Sequence, residues 1–205
     1  IVSFTYTAED ARGGRAQATI NVTVNTTPIA NQDAALTQQD TSVTIDVLAN
    51  DSDEDNDVLS VATSRPGANG RVDVNPSGTV TYTPNAGFFG NDTFIYTVND
   101  GRQGTATANV NITVNSRPIA LDDSFATQQS AAVVLNVLAN DSDPEDTFQI
   151  ESFQQVFTGT ITDNGNGTLT YAPNPAYFGT ENFTYTILDA RGGRDSATVS
   201  VLVNG

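Results

Sequence analysis

The stretch Thr93-Phe94-Ile95-Tyr96-Thr97-Val98 is threonine-rich, largely alternates apolar with polar residues and runs straight into Asn99-Asp100-Gly101. Alternation of period two, rich in threonine and aromatic residues, predicts a β-strand with one buried face, and Asn-Asp-Gly predicts the turn that ends it. The pattern returns as Phe183-Thr184-Tyr185-Thr186, followed by Asp189, and as Phe4-Thr5-Tyr6-Thr7, followed by Asp10-Ala11-Arg12-Gly13-Gly14. Outward from these strands, Pro28-Ile29-Ala30 recurs as Pro118-Ile119-Ala120 and Val47-Leu48-Ala49-Asn50-Asp51 as Val137-Leu138-Ala139-Asn140-Asp141. The offset is 90 residues and falls to 89 after an acid-rich loop, so the second copy of that loop is one residue shorter. Two repeats are expected, residues 26–115 and 116–205, with residues 1–25 as the C-terminal hairpin (strands F and G) of a preceding repeat. On this reading the chain is cut from something longer.

Further strand signals lie at residues 42–47 and 78–83, and turn signals at Asn75-Pro76-Ser77-Gly78 and Pro84-Asn85-Ala86-Gly87. Nothing reads as a helix. Seven strands per repeat follow, which predicts an all-β array of tandem Ig-like, seven-stranded antiparallel sandwiches. Phe94, Tyr96, Phe183 and Tyr185 fall on one strand face and are expected in the core. Phe88-Phe89 and Tyr177-Phe178 fall in the E–F loops and are expected to plug the sandwich end, with contact between repeats as the alternative.

The chain has 24 acidic and 8 basic residues, a net charge of −16, and every basic residue is an arginine. Such a charge repels nucleic acid and anionic membranes and attracts cations. Lys, His, Cys, Met and Trp are absent, which removes the usual nucleophiles, imidazole bases, Schiff-base amines and soft metal ligands. No disulfide or lysine cross-link braces the fold. No run of about 18 apolar residues is present, so no membrane insertion is expected in this segment. An enzyme is not expected either: paired carboxylates hydrolyse glycosides only across a cleft, and these acids lie beside turns.

Strand parity places the acids. If strand A (about residues 29–37) leaves the N-terminal pole and each strand reverses the last, the B–C, D–E and F–G loops return to that pole. This gathers Asp33, Asp51, Asp53, Asp55, Asp57 and Asp100 in the first repeat, and Asp122, Asp123, Asp141, Asp143, Glu145, Asp146 and Asp189 in the second. The linker Asn115 and the E–F residues Asn91 and Asp92 are expected to face the second set. Five acids within residues 51–57 repel one another, and a hard cation taking 6–8 oxygen ligands relieves that repulsion. Calcium suits the site better than magnesium, which demands a tight octahedron. Asp51, Asp53 and Asp55 imitate positions 1, 3 and 5 of an EF-hand, but Asn56 and Ala62 stand where that loop needs Gly and Glu, so it is not one. The alternative for the acids is a solvated face, and for Asp100 and Asp189 a turn-forming role. Arg12, Arg102 and Arg191 follow the turn aspartates as salt-bridge partners. Eight N-x-S/T triplets are the chance product of an Asn- and Thr-rich chain and assign no glycans.

PIANQDA and PIALDDS, VLANDSD, GTVTYTPN and GTLTYAPN, FFGNDTFIYTVNDG and YFGTENFTYTILDA together resemble the cadherin-like and Ig-like tandem repeats of large bacterial surface adhesins of the RTX type. The resemblance implies an extracellular β-sandwich stalk, commonly calcium-binding, that holds an adhesive domain away from the cell. It carries the acidic positions to Asp51, Asp53, Asp55 and Asp57 and to Asp141, Asp143 and Glu145. Family members usually continue the loop with Asp-Gly-Asp, whereas here it reads Asp55-Asn56-Asp57 and, one residue short, Glu145-Asp146, which puts a ligand of the second site in doubt.

The functional expectation is a stalk or fibre segment at the bacterial surface or in a secreted matrix, stiffened by Ca²⁺ where repeats meet, supporting adhesion or biofilm formation. Its partners are neighbouring repeats of the same chain and other copies of itself in a fibre. Two alternatives stand beside it: a filament assembled by strand exchange, and a sandwich that binds a glycan or a protein. The absence of Trp and of clustered surface aromatics speaks against the last.

Overall fold

The structure is a computed structural model that describes residues 2–205. It divides into two compact units, one of residues 1–35, 43–82 and 92–112, the other of residues 36–42, 83–91 and 113–205. All regular structure among the described residues is β, in sixteen strands. β1 (Val2–Glu9) and β2 (Arg15–Val22) pair as an antiparallel hairpin from Val2↔Val22 to Glu9↔Arg15. Every residue of the two strands is exposed.

The first repeat contributes β3 (Asp33–Gln38), β4 (Val43–Ile45), β5 (Ser60–Arg65), β6 (Gly70–Val74), β7 (Val80–Pro84), β8 (Gly90–Asn99) and β9 (Thr105–Asn115). Sheet order is β3-β9-β8-β5 and β4-β7-β6. The second repeats this with β10 (Asp123–Gln128), β11 (Val133–Leu135), β12 (Phe148–Phe153), β13 (Gly159–Asp163), β14 (Leu169–Pro173), β15 (Gly179–Asp189) and β16 (Arg194–Asn204), ordered β10-β16-β15-β12 and β11-β14-β13. The expected seven strands per repeat are present as four facing three. β10 joins the sheet beside β16, and the two run parallel from Asp123↔Val199 to Gln128↔Asn204, as parity requires of the first and last of seven alternating strands.

The alternation seen in the sequence sets the core. Val80, Tyr82, Phe94, Tyr96, Val98, Val110, Ile112 and Val114 are buried in the first repeat, and Leu169, Tyr171, Phe183, Tyr185, Ile187, Val199, Val201 and Val203 in the second. Tyr82 and Phe94 stack with ring centroids 6.1 Å apart. Aromatic burial dominates such a small core, since truncating a buried Phe to Ala costs about 3–5 kcal/mol. The E–F aromatics behave differently from the expected plug: Phe89 is 42% and Phe178 68% exposed, while Tyr177 packs against the core and donates to the Thr180 carbonyl at 2.8 Å.

Candidate metal centre

Asp53, Asp55 and Asp57 lie between β4 and β5, and one carboxylate oxygen from each falls within 4.8 Å of the others. The loop makes its own turn: Asp53 Oδ1 accepts from the backbone N–H groups of Asp55 at 2.8 Å and Asp57 at 3.4 Å. Asn56 takes φ of 60°, a left-handed conformation that Asn tolerates. Asp55 Oδ2 accepts from Thr26, at 2.7 Å from the backbone N–H and 2.9 Å from Oγ1, which holds the carboxyl below the usual carboxylate range and ties the loop to the segment preceding β3. Asp100 opens the β8–β9 turn and is only 3% exposed. Its Oδ1 accepts from the N–H groups of Arg102 at 2.7 Å and Gly104 at 2.9 Å, and its Oδ2 from Asn25 Nδ2 at 2.6 Å. Burial raises the Asp100 pKa, but the Arg102 N–H, the Asn25 amide and the Gly104 N–H outweigh it, and the net shift is downward. A Cβ at Gly104 would strike Asp100 Oδ2, so only glycine lets the carboxylate fold into its own turn.

Four side-chain oxygens of the first repeat are buried and have no hydrogen-bond partner: Asn25 Oδ1, Asp53 Oδ2 and Asp57 Oδ2 at this loop and linker, and Asp33 Oδ2. Leaving a buried acceptor without a donor costs roughly 1–3 kcal/mol, more when it is charged. An all-oxygen set whose atoms lie within 4.8 Å of one another has the chemistry of a hard-cation site. Arg102 Nη2 lies 3.1 Å from Asp57 Oδ1 and supplies part of the positive charge from a half-exposed side chain.

The second repeat is built alike. Asp143 Oδ1 accepts from the N–H groups of Glu145 and Asp146, both at 2.8 Å, and Glu145 Oε2 accepts from the Ser116 N–H at 2.8 Å. Asp189, 4% exposed, accepts from the N–H groups of Arg191 at 2.7 Å and Gly193 at 2.8 Å, and from Asn115 Nδ2 at 2.8 Å. Asn115 Oδ1, Asp143 Oδ2 and Asp146 Oδ2, and Asp123 Oδ2, are buried without partners, at the same four positions as in the first repeat. Arg191 Nε stands 3.4 Å from Asp146 Oδ2, an ion pair too loosely aligned to count as a hydrogen bond. Among the described residues only the first loop brings three carboxylates within 4.8 Å; the second lacks the residue that Asn56 supplies.

Asp33 and Asp51 have a different centre. Tyr96 Oη lies 2.9 and 3.0 Å from the two Asp51 oxygens and 3.0 Å from the carbonyls of Asn31 and Val47. Asp51 Oδ1 also accepts from the Asn31 N–H at 2.7 Å. Asp33 faces the same hydroxyl, and its pKa is raised by burial, against the Tyr96 hydrogen bond and with the repulsion of Asp51. In the second repeat Tyr185 Oη stands 2.9 and 3.0 Å from the Asp141 oxygens and 3.0 Å from the Val137 carbonyl. Burial pushes Asp123 up to about 6, with Tyr185 opposing and Asp141 and Asp122 adding. Asp122 Oδ1 accepts from the Thr198 N–H at 2.8 Å.

The profile of the family described as "Bacterial Ig domain" matches residues 25–113 and again 115–202. The chain belongs to the bacterial Ig domain family. Among solved structures, these two bacterial Ig domains are similar to the human desmocollin-1 ectodomain, at 16% identity and TM-score 0.48, over 99% of this chain and 48% of that one. They are similar to the titin domains I67–I69 at 14% identity and TM-score 0.45, over 86% of this chain and 65% of that one. An endo-fucoidan hydrolase of glycoside hydrolase family 107 is similar at 18% identity and TM-score 0.37, and there the chain covers 98% of itself but spans only 34% of the other. No curated protein matches the chain.

Within the bacterial Ig domains, the acids named from the sequence thus divide. Asp55 and Asp100 engage the linker residues Thr26 and Asn25, with Asp53 and Asp57 clustered beside Asp55; Glu145 and Asp143 engage Ser116 and Asp189 engages Asn115, with Asp146 bonded to Asp143; Asp33 and Asp51, and Asp123 and Asp141, share a buried tyrosine. Asp92 is consumed by the Tyr82 hydroxyl at 2.9 Å and the N–H groups of Ala68 and Asn69 at 3.2 and 3.0 Å, and Asn91 Oδ1 takes the Thr113 hydroxyl at 3.3 Å. Sequence reasoning passed over Asn25 and Thr26. Their signal was the Thr-Val-Asn-x-x-Pro-Ile-Ala match at residues 23–30 and 113–120, which places an amide and a hydroxyl at the same step of both linkers.

Proposed function

We propose that this chain is a segment of an extracellular stalk or fibre at the bacterial surface or in a secreted matrix, in which Ca²⁺ stiffens the places where one Ig domain is joined to the segment before it. Asp53, Asp55, Asp57, Asp100 and Asn25 hold one ion, and Asp143, Glu145, Asp146, Asp189 and Asn115 the other. The observation that carries this reading is the set of buried, partnerless oxygens around loop and linker, three of the four positions that recur in both repeats, each set including a linker amide. The ion neutralises the carboxylates. The protein's part is to bring linker and loop together: Thr26 on Asp55 and Asn25 on Asp100, Ser116 on Glu145 and Asn115 on Asp189. With the ion bound, the linker loses freedom; without it, the loop acids repel and the linker is held by hydrogen bonds alone. The partners are neighbouring repeats of the same chain. Small-angle scattering with saturating Ca²⁺ and with chelator tests this: a longer and narrower distribution of dimensions is expected with the ion, and superimposable curves would reject ion-dependent stiffening.

A second reading is a fibre built by strand exchange, supported by the hairpin β1–β2. Its outer edges are unpaired, and Val2, Phe4, Tyr6, Ile20 and Val22 are all 40% exposed or more. An isolated two-stranded hairpin is at best marginally stable, and sheet edges of this kind pair with other chains. A chain that sediments as a monomer at high concentration would dispose of it.

A further inference from the structure

We infer that Gln38, the last residue of β3, is a positioning residue of the second cation site, holding the Asn115 amide together with Asp189 so that its Oδ1 faces the ion. This rests on the calcium reading above and adds a residue that no acidic pattern points to.

An amide side chain presents a donor at one end and an acceptor at the other, and its neighbours decide which way round it sits. The Arg191 carbonyl can only accept, so Gln38 turns its Nε2 toward it, at 2.9 Å. That leaves Gln38 Oε1 to accept from Asn115 Nδ2 at 3.0 Å. The other Nδ2 hydrogen goes to Asp189 Oδ2 at 2.8 Å, so both donor positions of Asn115 are filled. Its Oδ1 is thereby turned away from both partners, buried and partnerless, as a cation ligand must be. The Asn115 backbone is pinned as well, since its carbonyl accepts from the Gln39 N–H at 2.8 Å, and Asn115 is fully buried. Gln38, Asn115, Arg191 and Asp189 all belong to one compact unit.

The first site lacks this arrangement. Among the described residues Asn25 Nδ2 donates to Asp100 alone, and Asn25 is only partly buried. The second site, whose loop is one residue shorter, thus has the better-held amide. Its ion affinity is linked to a strand outside its own seven, because Gln38 belongs to β3.

The test is calorimetric titration of Ca²⁺ into the whole chain carrying Asp53→Asn and Asp55→Asn, so that only the second site reports. Adding Gln38→Ala is expected to weaken binding about tenfold, the scale of one misdirected ligand, while Gln38→Glu, which keeps the acceptor for Asn115, stays within about threefold. Gln128→Ala, at the corresponding position of the second repeat, should leave the titration unchanged. Equal affinity with Gln and Ala at position 38 overturns the inference and leaves the calcium reading standing; no heat with Gln38 intact overturns both. If Gln38→Ala does not fold, the Asn115 side-chain amide protons decide: slow exchange with solvent in the native chain is expected, and exchange at the free rate overturns the inference.

Discussion

The two acidic loops occupy the same place in two like sandwiches, yet among the described residues the first brings three carboxylates within 4.8 Å of one another and the second does not. The difference traces to one residue. Both loops turn on an aspartate that accepts two backbone N–H groups, but only the first has Asn56, in its left-handed turn, between the last two acids. What the second loop loses in convergence it recovers through its linker amide, which Gln38 and Asp189 hold from two sides. Ligand number and ligand order are thus separable properties of one site type.

The comparison can be broken most forcefully at the turn aspartates. Asp100→Ala or Asp189→Ala strands two backbone N–H groups and frees the linker amide, and each is expected to cost about 2–4 kcal/mol of stability and abolish ion binding in its own repeat only. Thermal melts and Ca²⁺ titrations of each variant check this, and loss of both sites from either change would show that the repeats are not independent.

A second prediction concerns pH. The folded pKa of Asp123, about 6, lies above the ordinary carboxylate value near 3.9. The native state therefore binds more protons in that window. The contribution is fully present below about pH 4 and is lost as pH rises through about 6. In chelator, stability should fall by about 2 kcal/mol across this range, and Asp123→Asn should flatten the curve. Asp33 is shifted in the same direction by the same burial, so Asp33→Asn should flatten what remains. An unchanged curve in both variants would mean that neither tyrosine-centred pair holds an extra proton.

Restoring the missing residue sharpens the contrast. Inserting Asn between Glu145 and Asp146 should strengthen the second site by about tenfold, read by the same titration. The smallest effect on affinity is expected at the arginines: Arg102→Ala and Arg191→Ala remove a partly exposed guanidinium from beside a largely buried carboxylate, and they should raise calcium affinity slightly, in the same titration, by removing a competing cation.

Much of this was legible in the sequence because the determining signals are local. Alternation around Phe94 and Phe183 sets strand faces, Asn-Asp-Gly sets a turn, and parity carries the B–C and F–G loops to one pole. What could not be read is which acids share a centre. Asp51 and Asp53 are two residues apart, yet Asp51 caps the Asn31 N–H and meets Tyr96, while Asp53 clusters with Asp55 and Asp57. That choice depends on a tyrosine 45 residues away whose hydroxyl reaches the end of the core, and no spacing rule reports on hydroxyl reach. The exposure of Phe178 was hidden for a similar reason: its side depends on where one short loop leaves the strand register.

The parallel pairing of β10 with β16 has a mechanical corollary. Tension applied to the two ends of that domain draws these neighbouring strands in opposite directions along their length, so the six rungs from Asp123↔Val199 to Gln128↔Asn204 are loaded in shear together rather than peeled one at a time. The domain resists pulling at the place where the chain enters and leaves it.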